Sequence, residues 1–360
     1  MKAVVLVGGE GTRLRPLTLS VPKQMLPIVE QPMIERVLGQ LRRHGVDDAV
    51  LSLGYLPDAF LEAYPDGVAA GVRISYAVEP EPLDTAGAIR FAALSAHVDA
   101  TFVVVNGDVL TDMDLGALVA FHRAHGAEGT ISLHAVEDPS AFGVVPTDSQ
   151  GRVLAFVEKP PRDEAPTNLI NAGSYVLEPS VHERIPSGRR VSIERETFPA
   201  MVAQGSLYAL DDSAYWLDAG TPEAYLAAHR DLLDGRRPGP PAPGARDSGG
   251  QVWLLGSPEV EPGGVVRGPA LLGDGALVRS GALVDRAVVG RNCLVEAGAR
   301  VVRSVLLPGA VVASGAAVCG SIVGPGARVG ERSEVRPVSV LGACALLPSG
   351  EVVTGARVPA

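Results

Sequence analysis

The sequence predicts an α/β fold, a doubly wound and mostly parallel sheet, followed by a parallel β-helix of hexapeptide repeats. Strand-like and helix-like segments alternate over residues 1–235, a Pro- and Gly-rich stretch follows at 236–250, and an aliphatic residue then recurs every six positions through most of 251–360. We therefore divide the chain into a first domain at 1–235, a linker at 236–250 and a β-helix domain at 251–360.

The alternation in the first domain is typical of βαβ units. The predicted elements are, in order, strand Val4–Val7, helix Met33–His44, strand Ala49–Leu53, strand Phe102–Val105, helix Leu115–His125 and strand Thr130–Val136. Ligands of such sheets gather at the carboxyl ends of the strands. Gly8 and Asp108 both lie just past predicted strand ends, so a ligand site is expected at that edge.

The repeat in the last domain defines the inward positions of the β-helix. They are predicted to be Val266, Leu272, Val278, Val284, Val289, Val295, Val301, Leu307, Val312, Val318, Val323, Val329, Val335, Leu341, Leu347 and Val353. Each interruption of the period shortens one step to five residues. So many in-register positions favour a β-helix over a generic Val- and Gly-rich β-sandwich. The linker is predicted to hold neither helix nor strand, because Gly and Pro punctuate it throughout.

Composition excludes several classes of protein. The net charge of −10 argues against nucleic acid or an anionic membrane as the main partner, and no run of about 18 apolar residues indicates a membrane-spanning helix. The three cysteines form no C-x-x-C pair, which argues against a zinc site or a disulfide framework and for a reduced, cytoplasmic protein. The N-terminal residues have no signal-peptide layout.

The segment after the first strand has the composition of a phosphate-binding loop. Three glycines occur within Gly8–Gly11, and glycine lets backbone N–H groups approach a phosphate chain closely. Arg13 and Lys23 follow and can neutralise a triphosphate. The spacing fits neither a Walker A loop nor a dinucleotide-binding fingerprint.

The complete string from Gly8 to Pro27 resembles the signature of nucleoside-diphosphate-sugar pyrophosphorylases, the sugar-1-phosphate nucleotidyltransferases. That signature reads GGxGTRLxPLT, then PK and a hydrophobic-Pro step, and every element is present. The resemblance implies a Rossmann-like nucleotidyltransferase fold and the left-handed form of the β-helix. It also implies transfer of a nucleotidyl group from an NTP to a sugar 1-phosphate, with release of pyrophosphate.

Two segments resemble the mannose-1-phosphate guanylyltransferase branch of this family. Residues 192–199, SIERETFP, resemble its S-[IV]-E-[RK]-E-x-F-P block, and residues 81–88 align with its E-x-P-L-G-T-A-G segment, with Asp84 where glycine is usual. The resemblance implies GTP and mannose 1-phosphate as substrates. A sugar-like cyclitol 1-phosphate of the valienol type, and glucose 1-phosphate with a thymidylyl or uridylyl donor, stay open as alternatives.

The resemblance also implies the site residues. Charge stabilisation is implied for Arg13, Lys23, Asp108 and Asp218, and the two aspartates would hold Mg²⁺, which takes one or two carboxylates plus phosphate oxygens. The implied nucleotide contacts are Leu6, Gly8, Gly9, Gly11, Thr12, Arg13, Lys23, Glu79, Thr85, Ala86, Gly87, Asn106 and Gly107. The implied sugar-phosphate contacts are Gly143, Glu158, Lys159, Asn171 and Gly173.

One pair of these residues carries a structural prediction of its own. Glu158 and Lys159 are adjacent, and adjacent residues of a regular strand point to opposite faces. If both face one ligand, the chain must bend or bulge at this point.

Two other functions fit the sequence less well. A non-catalytic regulatory homologue would have a broken phosphate loop, whereas Arg13, Lys23, Asp108 and Asp218 are all present. An acyltransferase in the β-helix would need a histidine base, and no histidine follows His229. The β-helix is therefore expected to have a structural, oligomeric or regulatory role, and the sequence leaves open whether the chain forms a homo-oligomer.

Overall fold

The computed structural model describes residues 1–360, which form two compact units. The first unit comprises Met1–Gly9 and Ile34–Trp216, and the second comprises Glu10–Met33 and Leu217–Ala360. The segment that carries Arg13 and Lys23 therefore belongs to the same unit as the β-helix.

A ten-stranded mixed sheet forms the framework of the first unit. Its strands are Lys2–Leu6, Asp48–Leu53, Val68–Ala69, Val72–Val78, Phe102–Asn106, Gly129–Ala135, Gly143–Val144, Val157–Glu158, Leu169–Leu177 and Leu207–Asp211. The centre of the sheet is parallel, with Lys2–Leu6 between Asp48–Leu53 and Phe102–Asn106. Leu169–Leu177 then runs antiparallel to Phe102–Asn106. The predicted α/β class and the predicted strands are confirmed, and the antiparallel flank is additional.

The helices of the chain are α1 (Met33–Arg43), α2 (Asp58–Ala63), α3 (Asp84–Ser95), α4 (Leu115–His125), α5 (Val181–Arg184), α6 (Phe198–Gln204) and α7 (Pro222–Leu233), with a short π-helix at Ile193–Thr197. Helix α4 has the predicted bounds, because the Asp114 side chain caps its N-terminus and Gly126 ends it at a φ of 54°. Two further short strands lie at Val109–Thr111 and Trp216–Asp218.

The second unit contains the signature segment, helix α7 and the β-helix. The signature segment has three 3₁₀ turns, Thr12–Leu14, Leu17–Leu19 and Lys23–Met25, and a hairpin of Pro27–Ile28 with Gln31–Pro32. Three sheets form the sides of the β-helix, and all their strand pairs are parallel except that of Arg246–Asp247. The first has strands Arg246–Asp247, Val252–Leu254, Ala270–Leu272, Val288–Val289, Val305–Leu306, Ile322–Val323, Val340–Leu341 and Arg357–Val358. The second has Glu259–Val260, Leu277–Val278, Leu294–Val295, Val311–Val312, Arg328–Val329 and Leu346–Leu347. The third has Val265–Arg267, Leu283–Asp285, Arg300–Val302, Ala317–Cys319, Glu334–Arg336 and Val352–Thr354.

The predicted inward positions form the core of the β-helix, with one exception. Val289, Leu306 and Val323 stack in register along the first sheet, so Leu306 and not Leu307 fills the inward position. The prediction for Leu307 was wrong because the five-residue step lies between Val301 and Leu306, one repeat earlier than the sequence pattern indicated. Val266 and Val353 are partly buried against this core.

The linker contains a short strand. Arg246–Asp247 pairs antiparallel with Trp253 and Leu254, so the prediction that 236–250 holds no strand is wrong at these two residues. The backbone of this pair extends the first sheet of the β-helix by one strand. Among the helices, the longest have twelve residues and none meets the length and hydropathy of a membrane span.

The core assignment can be tested by removing one inward side chain. Leu306→Ala is expected to destabilise the β-helix by about 2–5 kcal/mol, because it leaves a cavity at a fully buried position. The matched control is Leu346→Ala, which removes the same atoms from a side chain that is 64% exposed in the same domain. Denaturant unfolding of the two variants should separate them clearly, and an equal loss of stability would contradict the assigned register.

Candidate active site

The first unit places two glycine-containing segments side by side at one edge of the sheet. Leu6 and Asn106 are partners in the parallel strands, and the Gly107 N–H donates a hydrogen bond of 2.9 Å to the Leu6 carbonyl. The segments that follow these strands, Gly8–Gly9 and Gly107–Asp108, therefore begin at the same level. This is the edge at which the sequence predicts a ligand site.

Gly8 lies in close contact with the loop after the neighbouring strand. A Cβ on Gly8 would lie 3.4 Å from Glu79 Oε1 and 3.5 Å from the backbone nitrogen of Gly54. The Glu79 carboxylate is fixed, because Ser52 Oγ donates to one oxygen at 3.0 Å and the Leu83 N–H donates to the other at 3.0 Å. Glu79 thus orders the turn that leads into helix α3.

The segment around Thr85 is held by the SIERETFP block. Thr85 Oγ1 donates to Glu194 Oε2 at 2.8 Å and accepts from the Ile193 N–H at 2.8 Å. The N–H groups of Ala86 and Gly87 both donate to the Val191 carbonyl. Sequence reasoning gave Glu194 no site role, although the block that contains it was singled out.

Asp84 adopts the left-handed backbone conformation that glycine favours, with a φ of 62°. Aspartate tolerates this region better than most residues, and here its Oδ1 accepts a hydrogen bond of 2.8 Å from the Thr85 N–H. The residue is exposed. The departure from the family pattern therefore preserves the turn into helix α3.

A β-bulge brings Asn171 and Gly173 to the end of the strand that carries Asn106. Asn171 Oδ1 accepts from the Gly173 N–H at 3.0 Å, and Asn171 Nδ2 donates to the Tyr175 hydroxyl at 2.9 Å. Gly173 has a φ of 76°, and a Cβ there would lie 2.5 Å from Asn106 Nδ2. The bulge between Asn171 and Tyr175 is thus built around a position that only glycine fits.

Gly143, Glu158 and Lys159 form a second cluster in this unit. Gly143 lies opposite Glu158 in the antiparallel pair, and a Cβ on Gly143 would lie 3.0 Å from Glu158 Oε2. Lys159 has a φ of 51°, and its Nζ lies 3.5 Å from Glu158 Oε1. The predicted bend is confirmed, since the left-handed residue lets both side chains reach the same side.

Burial and the carboxylates of Glu194, Glu158 and Asp108 raise the pKa of Tyr175. The pKa of Tyr175 is raised, first by its complete burial and then by the charge of Glu194, with smaller contributions from Glu158 and Asp108. These three carboxylates therefore lie near enough to Tyr175 to disfavour its ionisation.

In the second unit, Gly11 and Thr18 shape the segment that carries the cations. Gly11 has a φ of 61° and begins the 3₁₀ turn Thr12–Leu14. The buried Thr18 hydroxyl donates to the Gly11 carbonyl at 2.8 Å. A Cβ on Gly11 would lie 3.0 Å from Thr18 Cγ2 and 3.2 Å from Lys23 Cβ, so Lys23 packs directly on this turn.

Arg13 and Asp218 form an ion pair beside Gly220. Arg13 Nη2 lies 3.6 Å from Asp218 Oδ2, and the Gly220 N–H donates to Asp218 Oδ1 at 2.9 Å. A Cβ on Gly220 would lie 2.6 Å from Arg13 Nη2 and 2.8 Å from Asp218 Oδ1. Thr221 then caps helix α7 by accepting from the Ala224 N–H at 3.2 Å. The structure brings Arg13 and Asp218 together, whereas Asp108 belongs to the first unit.

Helix α7 holds the signature segment through two buried side chains that sequence reasoning missed. The Tyr225 hydroxyl donates to the Pro27 carbonyl, and the Val29 N–H donates to His229 Nδ1 at 3.2 Å. Both side chains are buried. No motif of the family string marked them, because their role is to hold the backbone of another segment.

The hairpin turn of the signature segment contacts the β-helix. Val29 and Glu30 both have positive φ, 48° and 63°, which is the geometry of a tight hairpin turn. Glu30 Oε2 accepts a hydrogen bond of 3.2 Å from the Arg291 N–H, and a Cβ on Gly290 would lie 2.7 Å from Glu30 Oε1. Burial raises the pKa of Glu30, and the hydrogen bond and charge of Arg291 offset part of that shift.

Comparison with known proteins agrees with this arrangement. The nucleotidyl transferase family matches residues 2–235, and the GMPPB C-terminal domain family matches residues 266–359. The chain belongs to the nucleotidyl transferase family. It is thus a nucleotidyltransferase, as the signature string indicated.

Three similar proteins illustrate the range of the family. A mannose-1-phosphate guanylyltransferase of Mycobacterium tuberculosis is 44% identical over 285 residues, which are 79% of this chain and 78% of the relative. A UTP–glucose-1-phosphate uridylyltransferase of Synechocystis is 34% identical over 316 residues, 79% of this chain and 81% of the relative. The crystal structure of HddC from Yersinia pseudotuberculosis complexed with GMP-PN superposes with a TM-score of 0.56 at 29% identity and covers 64% of this chain and 99% of HddC.

The Glu30 contact generates a pH-dependent prediction. A carboxyl whose pKa is raised on folding stabilises the protein fully below its unfolded pKa, and this contribution is lost as the pH rises through the folded value. Glu30→Gln keeps an acceptor for the Arg291 N–H and has no charge to bury. The variant is therefore expected to unfold at a higher temperature than the wild type near neutral pH and at a similar temperature in acid.

Thermal melts from acid to neutral pH measure this difference. Glu10→Gln is the matched control, because Glu10 lies in the same segment and forms an exposed ion pair with Arg15 at 2.8 Å. Its effect should stay within about 1 kcal/mol at every pH. A Glu30→Gln variant that is less stable than the wild type near neutral pH would contradict the burial of a costly charge.

Proposed function

We propose that the chain transfers the guanylyl group of GTP to mannose 1-phosphate and forms GDP-mannose and pyrophosphate. The observation that carries this proposal is the 44% identity to the mannose-1-phosphate guanylyltransferase of Mycobacterium tuberculosis over 79% of the chain. The match of residues 266–359 to the GMPPB C-terminal domain supports it.

In the proposed reaction an oxygen of the sugar phosphate attacks the α-phosphorus of GTP, and the bond from that phosphorus to the departing pyrophosphate breaks. The attacking phosphate is already charged, so the chain needs no nucleophile of its own. Catalysis then consists of positioning and charge stabilisation. Arg13 stabilises the departing pyrophosphate, and Lys23 contacts the α-phosphate. The backbone of Gly8, Gly9, Gly11 and Thr12 cradles the phosphate chain.

Recognition of the nucleoside is proposed for the edge of the first unit described above. Leu6, Glu79, Thr85, Ala86, Gly87, Asn106 and Gly107 are the proposed contacts. The hydrogen bonds of Glu79 and Thr85 with neighbouring chain segments support a fixed pocket. The left-handed φ of Asp84 is one that glycine also adopts, so this departure keeps the backbone turn beside the proposed nucleoside contacts.

The sugar phosphate is proposed to bind along the two glycine-dependent clusters. Glu158 accepts hydrogen bonds from sugar hydroxyls, and Lys159 binds the phosphate. Gly143, Asn171 and Gly173 let backbone approach the sugar. The bend at Lys159 supports this assignment, because it directs both charged side chains to one side.

Enzymes of this family typically use a divalent metal ion. We propose Mg²⁺ at Asp108 and Asp218, since carboxylate oxygens are its preferred ligands. When bound, the ion supplies charge neutralisation for the phosphates. Asp218 is oriented for this role by the Gly220 N–H.

The proposed reaction divides the chain into a catalytic part and two non-catalytic parts. We propose that residues 1–235 form the catalytic domain, that 236–250 is a linker and that 251–360 is a β-helix that supports assembly or regulation. The three cysteines, which form no C-x-x-C pair, support a cytoplasmic location. The proposal leaves open whether the chain forms a homo-oligomer. Neither nucleic acid nor a membrane is a proposed partner.

The substrate assignment is tested by a matrix of nucleotides and acceptors. Purified protein with Mg²⁺ should release pyrophosphate fastest with GTP and mannose 1-phosphate, and only when both are present. Glucose 1-phosphate with UTP or dTTP tests the alternative raised by the Synechocystis relative. A carbocyclic 1-phosphate tests a cyclitol acceptor. Preference for any of these pairs in kcat/KM would replace the proposed substrates, and release from GTP alone would indicate a hydrolase.

The contact of Gly220 with Arg13 and Asp218 gives a second test. Gly220→Ala is expected to lower kcat/KM for GTP at least about tenfold, because the added methyl displaces both side chains. Gly39→Ala in helix α1 is the matched control, since a Cβ there meets nothing within 4 Å. Circular dichroism should show that both variants are folded. Wild-type kinetics for Gly220→Ala would remove Arg13 and Asp218 from the proposed mechanism.

A further inference from the structure

Within the second unit, a cavity of about 440 Å³ lies between helix α7 and one corner of the β-helix. Its lining includes the guanidinium-bearing residues Arg230, Arg286 and Arg303, and one carboxylate residue, Glu223. This volume lies within the range of small-molecule sites. The residues of the proposed reaction do not line it.

The two β-helix arginines occupy equivalent positions in successive coils. The Arg286 N–H donates to the Arg267 carbonyl, the Arg303 N–H to the Asp285 carbonyl, and the Gly320 N–H to the Val302 carbonyl, so Arg286, Arg303 and Gly320 follow one another along the same corner. Neighbouring coils are separated by about 4.8 Å. Two positive side chains therefore stand one coil apart.

Several coils have a left-handed backbone at this corner. Arg286 and Arg303 have φ values of 52° and 48°, and the later coils have Gly320 at 52° and Gly355 at 60° in the same place. Glycine adopts this conformation without strain, whereas arginine does not. At this corner arginine thus occupies the glycine-like position in the coils of Arg286 and Arg303, and Gly320 of the next coil also lines the cavity.

The charges at this corner are not balanced by the protein. Neither Arg286 nor Arg303 forms an ion pair, and the nearby Asp285 lies 4.0 Å from Arg267 instead. Arg230 on helix α7 is 3.6 Å from Asp231. The Val29 N–H donates to His229 Nδ1, so this ring, which also lines the cavity, is unprotonated at that nitrogen. The net charge of the lining is positive in a chain whose net charge is −10.

An apolar wall completes the cavity. It consists of Leu226, Ala227, Leu233, Pro269, Val288 and Val305. A ligand that satisfies both parts has an anionic group for the arginines and an apolar or ring-shaped body. Arginine forks bind phosphate oxygens in pairs.

We propose that this cavity is a second binding site, distinct from the proposed active site, for a small organic phosphate whose phosphate group lies between Arg286 and Arg303. The body of the ligand packs on Leu226 and Leu233 of helix α7. This helix begins at Pro222, shortly after Asp218 along the chain, so occupancy of the cavity would act on the element that follows the Arg13–Asp218 pair.

Phenyl phosphate is a suitable probe of the whole cavity. Inorganic phosphate probes the arginine corner alone, and phenol probes the apolar wall alone. Titration calorimetry on the full-length protein should show that phenyl phosphate binds more tightly than inorganic phosphate and that phenol does not bind. Hydrogen exchange should slow in residues 223–233 and 283–305 when phenyl phosphate is added. The test is independent of the proposed reaction, because it measures binding alone.

The decisive variant is the double substitution Arg286→Gly with Arg303→Gly. It removes both charges and places glycine where Gly320 and Gly355 already fit, so the fold is expected to be retained. Arg332→Gly is the matched control, because Arg332 has a φ of 54° in the same β-helix and does not line the cavity. We expect the double variant to bind phenyl phosphate at least about tenfold more weakly and to lose the exchange protection, while the control behaves as the wild type.

Three results would overturn the proposal. They are the absence of phenyl phosphate binding, equal binding by the double variant and the wild type, and an equal loss of binding in the Arg332→Gly control. Protection from exchange outside residues 223–233 and 283–305 alone would also place the ligand elsewhere and reject the cavity as its site.

Discussion

The signature segment that carries Arg13 and Lys23 depends on other parts of its unit for its conformation. Its own regular structure consists of three 3₁₀ turns and a two-residue hairpin, which are too short to be stable alone. Buried groups of helix α7 bond to its backbone, and the β-helix packs against its Glu30 turn. The β-helix is therefore part of the framework that holds the segment of Arg13 and Lys23, although it contributes none of the residues proposed for the chemistry.

The sequence predicted the fold class and most of the core because both depend on periodic burial. Aliphatic residues at a period of six identify the inward face wherever they are unambiguous. At Leu306 and Leu307 two leucines are adjacent, and both are buried, so composition could not decide which one points inward. Only the pairing of Leu306 with Val289 and Val323 settles the register. Strand Arg246–Asp247 was missed for a related reason, since its pairing depends on a partner strand and not on its own composition.

The candidate site residues were predictable to the extent that they belong to a contiguous motif. The bend at Lys159 followed from strand geometry together with the implied ligand contacts of Glu158 and Lys159. Asp84 was recognised as a departure from the family pattern, and its backbone explanation needed the structure. Glu30, Tyr225 and His229 could not be found in this way. They form hydrogen bonds with backbone groups of segments that are distant along the chain. Neither their residue type nor their spacing indicates which segment folds against them.

Glycine at the sites of closest approach connects the fold to the proposed chemistry. At Gly173 the backbone conformation and the contact with Asn106 both exclude a side chain, whereas at Gly220 the constraint is the space occupied by Arg13 and Asp218. A side chain at Gly173 would disturb a β-bulge of the sheet. A side chain at Gly220 would displace only the charged groups of Arg13 and Asp218. Arg286 and Arg303 show the opposite case, because each has a side chain although its left-handed backbone favours glycine. Arg332 has the same backbone conformation, so a left-handed backbone alone does not mark a binding residue; the proposed role of Arg286 and Arg303 depends on their position in the wall of the cavity.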